Sequence, residues 1–344
     1  MIRLEDLDYE LPPNFIAQQP CEPRDAARLL VYRRATGEIK HSQVAQLKDF
    51  LHPGDLLVAN DTRVIPARLI GKREGTGGRV EVLLLRPQEQ DWWEALVRPS
   101  QRLKPGARIV LESEEDKSPD VVEVGAWLPH GKRRVRFQDD PNAVIERHGT
   151  TPLPPYIREP LADPARYQTT YARVSGSAAA PTAGLHFTPR LVQELEEYGV
   201  RFAFITLHIG LDTFQPIREE NPLQHPIHSE YLEVPAETVH LIQGTKARQG
   251  RVIAVGTTSV RALESAAAAQ GVMQPFSGET RLYIYPGYRF RVVDGILTNF
   301  HLPRSTLLLL VAAYTGLAEL KRIYRTAIEE NYRFYSFGDA SLLL

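Results

Sequence analysis

The pattern of apolar residues changes twice along this 344-residue chain, and the change constrains the fold more than any other feature. Between residues 67 and 148 the helical periodicity disappears. Six short runs of alternating apolar and polar residues take its place, separated by turns that contain Gly or Pro. Short runs at this spacing are typical of a small antiparallel β-barrel or sandwich. We therefore predict an all-β domain over residues 67–148.

The segments on either side, residues 1–66 and 149–344, instead alternate predicted strands with predicted helices. Apolar strands at 201–209 and 251–256 each lie next to a helical stretch, at 189–199 and 259–270. This alternation is typical of a mostly parallel sheet with helices on both faces. We predict one discontinuous α/β domain, made from both ends of the chain, that carries the β domain as an insertion.

Composition excludes several classes of protein. Lys and Arg (41) balance Asp and Glu (42), so no global positive field indicates a nucleic-acid partner, although a local basic patch can still bind one. Cys21 is the only cysteine, which excludes internal disulfides and thiolate metal cages. The acidic first residues do not resemble a signal peptide, and the longest apolar stretch, 307–314, is too short to cross a bilayer. We expect a cytoplasmic protein.

Polar residues stand where several of the predicted strands end. Ligands of open α/β sheets bind beyond the carboxyl ends of the strands, so these side chains are expected to line a pocket. The residues at these strand ends are Asp61, Arg63, Thr206, His208, Thr298, Asn299 and His301.

The segment VGTTSVRALES (255–265) combines a strand end with a helix start. Thr257, Thr258 and Ser259 stand where a helix N-cap is expected. Free backbone N–H groups and the helix dipole would favour a carboxylate or phosphate there, and Arg261 could add a bidentate contact. The alternative is a well-capped structural helix with Arg261 in a surface salt bridge.

Two further segments contain histidines. AAAPTAGLHF (178–187) predicts a compact loop whose small residues let the backbone approach a ligand, with Thr182, Gly184 and His186 in it. A tight turn with a packed histidine is the alternative. His225 and His228 with Glu230 are suitable metal ligands, but a proline separates the histidines and the spacing is not HExxH. A substrate-facing loop is favoured, and no metal site is predicted.

Basic side chains concentrate in the predicted β domain and could follow a phosphate backbone. Trp92 and Trp93 add stacking surfaces, although one of the two is expected to be core. A solvated charged face is the alternative interpretation. The basic residues are Lys72, Arg73, Arg98, Arg102, Lys104, Arg108, Lys132, Arg133, Arg134 and Arg136.

Several segments together resemble one family, the S-adenosylmethionine:tRNA ribosyltransferase-isomerases of the queuosine pathway. The matching segments occur in the family's order and span nearly the whole chain. They include NDTRVIPARL (60–69), LPPYI (153–157), AAPTAGLHF (179–187), HPIHSE (225–230), VGTTSVRALES (255–265), TNFHLPRSTLLLLV (298–311) and YRFYSFGDA (332–340). The chain departs from the family pattern at Gly210–Phe214 and Val174–Ser177.

The resemblance implies a reaction, a fold and partners. The ribosyl part of S-adenosylmethionine would move onto 7-aminomethyl-7-deazaguanine at the tRNA wobble position and rearrange to the epoxycyclopentanediol of epoxyqueuosine, releasing adenine and methionine. The fold implied is a Rossmann-like α/β domain with an inserted β-barrel. S-Adenosylmethionine and the tRNA anticodon loop would be the partners, and no metal or redox cofactor is implied. Separately, we expect a monomer.

The residue roles follow as hypotheses from that reaction, which needs proton transfers suited to histidine. His186, His208 and His301 are the candidate catalytic residues. The candidate substrate-binding residues are Asp61, Arg63, Thr182, Gly184, Thr206, His228, Glu230, Thr257, Thr258, Ser259, Arg261, Thr298 and Asn299. Two other functions stay open from the residues alone: a metal-dependent hydrolase or isomerase that uses the histidines, and a non-catalytic tRNA-binding protein.

Overall fold

The fold is given by a computed structural model, which describes residues 2–89, 91–111, 119–210, 216–227, 229–270 and 273–344. The chain divides into two compact units. The first contains Met1–Arg63, Pro154–Val174 and Ala180–Leu344, and the second contains Val64–Leu153 and Ser175–Ala179. Among the described residues, no helix has the length and apolar character needed to span a membrane.

A nine-stranded sheet forms the centre of the first unit. Its strands, in their order across the sheet, are β15 (Phe276–Thr280), β13 (Glu230–Val234), β12 (Arg201–Leu207), β3 (Leu56–Asn60), β14 (Val252–Val255), β16 (Gly295–Asn299), β17 (Ala340–Leu343), β1 (Arg28–Arg33) and β2 (Glu38–Gln43). Two further short strands, β4 (Thr62–Val64) and β11 (Val174–Ser177), pair with each other.

The sheet is mixed, so the prediction of a mostly parallel sheet is wrong outside its centre. The central strands β12, β3, β14 and β16 run parallel, whereas β13, β15 and β2 pair antiparallel with their neighbours, as does β17 with β16. Every residue of β3, β14 and β16 is buried, which explains their continuous apolar sequences. The antiparallel strands at the edges of the sheet are more exposed, so their apolar sequence patterns are weaker. These patterns did not indicate whether the strands run parallel or antiparallel to their neighbours.

In the described part of the chain, six α-helices accompany the strands. They are α1 (Pro141–His148), in the second unit, and α2 (Pro189–Glu197), α3 (Ala236–Ala247), α4 (Thr257–Gln270), α5 (Thr306–Thr315) and α6 (Leu317–Glu329), in the first. The apolar stretch at 307–314 lies within α5, and α6 is a separate helix. Gly316, with φ of +89°, separates α5 from α6, because a residue in that conformation cannot continue a right-handed helix. Residues Val44–Phe50 form a kinked 3-10 helix.

A closed antiparallel barrel forms the second unit, as the alternating pattern predicts. Its strands are β5 (Arg68–Arg73), β6 (Arg79–Pro87), β7 (Trp92–Arg98), β8 (Ala107–Leu111), β9 (Val121–Trp127) and β10 (Arg133–Phe137), in the closed order β10-β7-β6-β5-β8-β9. Alternate residues such as Val82, Ile109 and Val135 are completely buried. Closure of the barrel pairs both edges of the sheet. The charged residues that alternate with these buried residues can therefore stay on the outer surface.

Candidate active site

A cleft lies at the carboxyl ends of β14 and β16, which pair in parallel so that Val255 is opposite Leu297. Its free volume is about 60 Å³. Six of the predicted site residues line it, namely Thr182, Thr257, Thr258, Thr298, Asn299 and His301. The structure therefore places in one cleft residues that are distant along the chain and that the sequence analysis selected as site residues. Their roles stay predictions.

His301 is a buried, neutral imidazole at this cleft. Its Nε2 lies 3.0 Å from the Thr298 hydroxyl oxygen. The backbone is fixed as well, because the His301 N–H donates to the Tyr324 hydroxyl at 2.9 Å and the Tyr9 hydroxyl donates to the His301 carbonyl. Burial lowers the pKa of His301 to about 3. The ring is therefore in its basic, proton-accepting form at neutral pH.

His186 reaches the same cleft only through Asn299. The Asn299 amide accepts from the Thr182 hydroxyl at 3.1 Å, and its Nδ2 donates to the Tyr335 carbonyl at 3.0 Å and faces His186 Nε2 at 3.3 Å. Burial, together with the positive charges of Arg333 and Arg24, lowers the pKa of His186 to about 4. His186 is thus a neutral acceptor that orients the asparagine.

Two tyrosines that line the cleft were not found from the sequence. Tyr335 has φ of +70°, a left-handed conformation that costs energy for an aromatic residue. Its ring packs on Tyr156 with 4.8 Å between centroids, and the Tyr156 hydroxyl lies 2.7 Å from the Ser336 hydroxyl. Strain at an aromatic residue is more frequent at functional sites than elsewhere. Only their places in the LPPYI and YRFYSFGDA segments could have indicated them.

Asp61 lies in a second polar cluster, at the ends of β3 and β12. Its buried carboxylate accepts from the Thr206 hydroxyl at 2.7 Å and from Arg173 Nη2 at 2.8 Å. The adjacent Thr62 hydroxyl lies 2.8 Å from His208 Nδ1. Burial lowers the pKa of His208, while the Asp61 charge opposes that shift. Asp61, Thr206 and His208 are not among the described residues that line the cleft.

Arg261 forms a buried ion pair with Glu230. Both side chains are more than nine-tenths buried, so the alternative of a surface salt bridge is wrong. Nη1 is the nitrogen that meets the carboxylate, whereas Nε and Nη2 are buried with no hydrogen-bond partner in the described part of the chain. Neither residue is among the described residues that line the cleft. This geometry therefore does not support the predicted direct contact of Arg261 with an anion in the cleft.

At the start of α4, two of the three predicted hydroxyl groups, those of Ser259 and Thr258, have different surroundings. Ser259 donates to the Val255 carbonyl at 2.8 Å and is fully buried, so its hydroxyl is already used inside the fold. Thr258 lines the cleft, and its Oγ1 is buried without a partner in the described residues. Gly256 precedes them with φ of +89°, which turns the chain from β14 into the helix.

The remaining predicted residues lie elsewhere or outside the described residues. Arg63 is exposed. Gly184 packs under Tyr171, where an added Cβ would be 2.3 Å from the hydroxyl oxygen, so this glycine is required for packing. His228 and residues 211–215, with most of the departure from the family pattern at Gly210–Phe214, fall outside the described residues. Within the described part, no three His, Cys, Asp or Glu side chains are grouped as metal ligands.

The chain matches known proteins along almost its whole length. Residues 4–343 match the model of a family described as queuosine biosynthesis protein. Relatives named S-adenosylmethionine:tRNA ribosyltransferase-isomerase are 54% identical in Moorella thermoacetica, 51% in Symbiobacterium thermophilum and 50% in Desulfitobacterium hafniense, each over 100% of both chains.

A solved structure gives the same relationship. The crystal structure of S-adenosylmethionine tRNA ribosyltransferase from Thermotoga maritima is 38% identical, covers 98% of this chain and 100% of its own, and has a TM-score of 0.56. The family resemblance drawn from the sequence motifs is confirmed. On this evidence the chain belongs to the queuosine biosynthesis protein family.

Proposed function

We propose that this protein is an S-adenosylmethionine:tRNA ribosyltransferase-isomerase. It transfers the ribosyl moiety of S-adenosylmethionine to 7-aminomethyl-7-deazaguanine at the tRNA wobble position and isomerises it, releasing adenine and methionine and leaving epoxyqueuosine in the tRNA. The observation that carries this proposal is 54% identity over the full length of both chains to a relative with that name. The same match favours this function over a histidine-dependent metallohydrolase and over a non-catalytic tRNA-binding protein.

His301 is proposed as the general base. The reaction requires removal of a proton beside the sulfonium, and a neutral imidazole at neutral pH can accept one. Burial keeps His301 in that form, and the Thr298 hydroxyl engages Nε2. Nδ1 makes no hydrogen bond within the described part of the chain, so we assign the proton transfer to this nitrogen.

Asn299 and Thr182 are proposed to contact the substrate, with His186 as a positioning residue behind them. The asparagine amide is held on three sides by Thr182, Tyr335 and His186. Both Nδ2 protons are used in these contacts, so a fixed amide of this kind can present the remaining lone pair of Oδ1 to a donor on the ribose or the leaving base without reorganising. His208 stays a candidate for the second proton transfer, supported by its contact with Thr62.

The N-terminus of α4 is proposed to hold the methionine carboxylate. This helix has 14 residues, so its first N–H groups and dipole favour an anion. Thr258 provides a second argument, because its buried Oγ1 lacks a partner and borders the cleft. In this scheme Glu230 and Arg261 support the helix from inside the protein.

The two predicted domains are proposed to have different functions. We assign catalysis to a Rossmann-like α/β domain over 1–66 and 149–344, supported by the position of the cleft at the carboxyl ends of parallel strands. The inserted barrel, 67–148, is assigned a share of the tRNA contacts. A monomer acting in the cytoplasm without a resident metal or cofactor stays a prediction.

The decisive experiment supplies both substrates. Purified protein is mixed with S-adenosylmethionine and an anticodon stem-loop that bears 7-aminomethyl-7-deazaguanine. Adenine is then measured by chromatography, and the RNA by mass spectrometry. Adenine release with the matching gain in RNA mass is expected. Folded protein that yields neither product would refute the proposed reaction.

A further inference from the structure

Trp127 is an exposed aromatic side chain with one face already occupied. It stands at the end of β9, and 49% of its surface is exposed. The guanidinium carbon of Arg133 lies 4.3 Å from the centre of its ring. A tryptophan on the outside of a barrel, supported from below by a cation, is oriented before any partner arrives.

Arg133 is fixed in place as firmly as any core residue. It is completely buried, and its Nη2 and Nε donate to the Gly125 carbonyl at 2.8 and 3.2 Å. Its Nη1 donates to the Leu103 and Ser100 carbonyls at 2.9 and 3.2 Å. Arg133 therefore does not reach a phosphate, contrary to the sequence-based expectation. Its guanidinium instead contacts the ring of Trp127 and donates hydrogen bonds to the loop at 100–103.

Two exposed cations stand on the loop that Arg133 holds. The loop that supplies the Ser100 and Leu103 carbonyls also carries Arg102 and Lys104, which are exposed. Among the described residues, no carboxylate forms a salt bridge with either cation. Exposed cations together with an exposed aromatic surface are the combination that proteins use to bind single-stranded nucleic acid, because the ring stacks on a base and the cations meet its phosphates.

A second ring on the barrel is already covered and serves as a contrast. Trp92 lies across Gly125, where an added Cβ would be 2.4 Å from the ring, and the guanidinium carbons of Arg134 and Arg136 lie 5.0 and 5.3 Å from its centre. Trp93, the other tryptophan expected to stack on bases, is buried. Of the three tryptophans of the chain, Trp127 is thus the one with a half-exposed ring.

We propose that Trp127 is a stacking platform for one unpaired base of the tRNA substrate, with Arg102 and Lys104 contacting the phosphates beside that base. The proposal rests on the proposed function for the identity of the RNA. An unpaired base is the occupant because bases inside a duplex are stacked on both faces and cannot lie on the ring. A peptide partner would have to desolvate the two cations without offering the charge that phosphates provide.

The test combines RNA binding with tryptophan fluorescence. Wild type, Trp127→Ala and Trp127→Phe are titrated with a full-length tRNA transcript and with a blunt RNA duplex. Trp127→Ala is expected to weaken tRNA binding about tenfold, the usual effect of losing one base stack, and Trp127→Phe to retain most of the affinity. The tRNA should quench the fluorescence of the wild type more than that of Trp127→Phe, while duplex binding should be equal in all three.

A matched control is available in the first unit. Tyr198 is an exposed aromatic residue, 38% exposed, with the Lys48 ammonium 5.9 Å from its ring centre. Tyr198→Ala is expected to bind tRNA as the wild type does. Equal tRNA affinity of wild type and Trp127→Ala, or an equal loss for tRNA and duplex, would overturn the platform.

Failure of the platform and failure of the proposed reaction give different results. If the wild type releases adenine normally and Trp127→Ala has an unchanged KM for tRNA, the platform is wrong and the reaction stands. If the wild type releases no adenine but still shows quenching by tRNA that depends on Trp127, the platform stands as an RNA site and the reaction is wrong. An unchanged melting temperature of Trp127→Phe shows that Arg133 remains held.

Discussion

The cleft at the ends of β14 and β16 and the outer face of the barrel use polar residues in opposite ways. In the cleft, His301 and the neighbouring Asn299 are buried and neutral, and each is fixed by hydrogen bonds. On the barrel, Arg102 and Lys104 are charged and exposed. Burial keeps an imidazole neutral, because it penalises the charged form, whereas exposure keeps cations available to a polyanion. Chemistry and RNA binding should therefore respond to different changes.

The largest effect is expected for His301→Gln. The glutamine amide can still bond the Thr298 hydroxyl but cannot accept a proton, so turnover should fall by about 10²- to 10⁴-fold, the usual contribution of a general base. Adenine release at saturating S-adenosylmethionine and tRNA measures this, and the tRNA affinity should not change. His240, exposed on α3, is the control, and His240→Gln should be fully active. Activity of His301→Gln above one tenth of the wild type would exclude His301 as the base.

The second effect concerns stability. Arg261→Met removes the Arg261 guanidinium from a buried ion pair with Glu230, which should lower the free energy of unfolding by about 3–5 kcal/mol. Denaturant unfolding measures the loss. Lys321→Met, which breaks the partly exposed pair with Asp6, should cost no more than about 1 kcal/mol. The double variant Arg261→Met, Glu230→Met should recover part of the loss. Equal costs of the two single variants would show that the buried pair is not special.

Acid should destabilise the folded protein through its buried histidines. Unfolded, each histidine takes up a proton near pH 6.5, whereas the pKa values of His186 and His301 in the fold are about 4 and about 3. Between these values the unfolded state binds more protons. Stability should therefore fall, as the pH drops from 6.5 towards 4, by up to about 1.4 kcal/mol per pH unit for each histidine.

The variant His301→Gln shows which residues cause this pH dependence of the stability. His301→Gln should lose about half of the pH dependence contributed by these two residues, measured as the melting temperature at about pH 7 and about pH 5. The carboxylates whose pKa is lowered by cations, Asp55, Glu94 and Asp120, contribute stability that is lost only below their ordinary values near 4. An unchanged slope in His301→Gln would mean that this imidazole is not neutral in the folded protein.

How much of this could be predicted from the sequence depends on the kind of interaction. The barrel and the central strands could be predicted, since alternation and continuous apolar runs report burial directly. The cleft position could be predicted as well, because Thr298 lies near the end of the apolar strand β16 and Thr257 lies just after the apolar strand β14. The ion pair of Arg261 with Glu230 could not, since nothing local says which of many charged residues will be buried together.

The barrel surface shows the same limit from the other side. In the sequence Lys132-Arg133-Arg134 all three residues look equivalent, yet Arg133 is fully buried at the bulge where β9 and β10 change register. A register shift of one residue moves a side chain to the other face of a sheet, and no pattern in five residues predicts it. Trp127 was overlooked for the related reason that its support comes from a strand partner and not from its own neighbours.

The smallest expected effect belongs to the barrel and isolates its electrostatic part. Lys104→Ala removes an exposed cation, so tRNA affinity should fall only about two- to threefold near physiological salt. The slope of log affinity against log salt should become less steep by about one phosphate contact, while the quenching that depends on Trp127 remains. Lys40, exposed on β2 and paired with Glu38, is the control, and Lys40→Ala should leave the slope unchanged. Turnover at saturating tRNA should be normal in Lys104→Ala. A fall in turnover would show that a barrel cation affects catalysis as well as tRNA binding, so that the cleft and the barrel do not act independently.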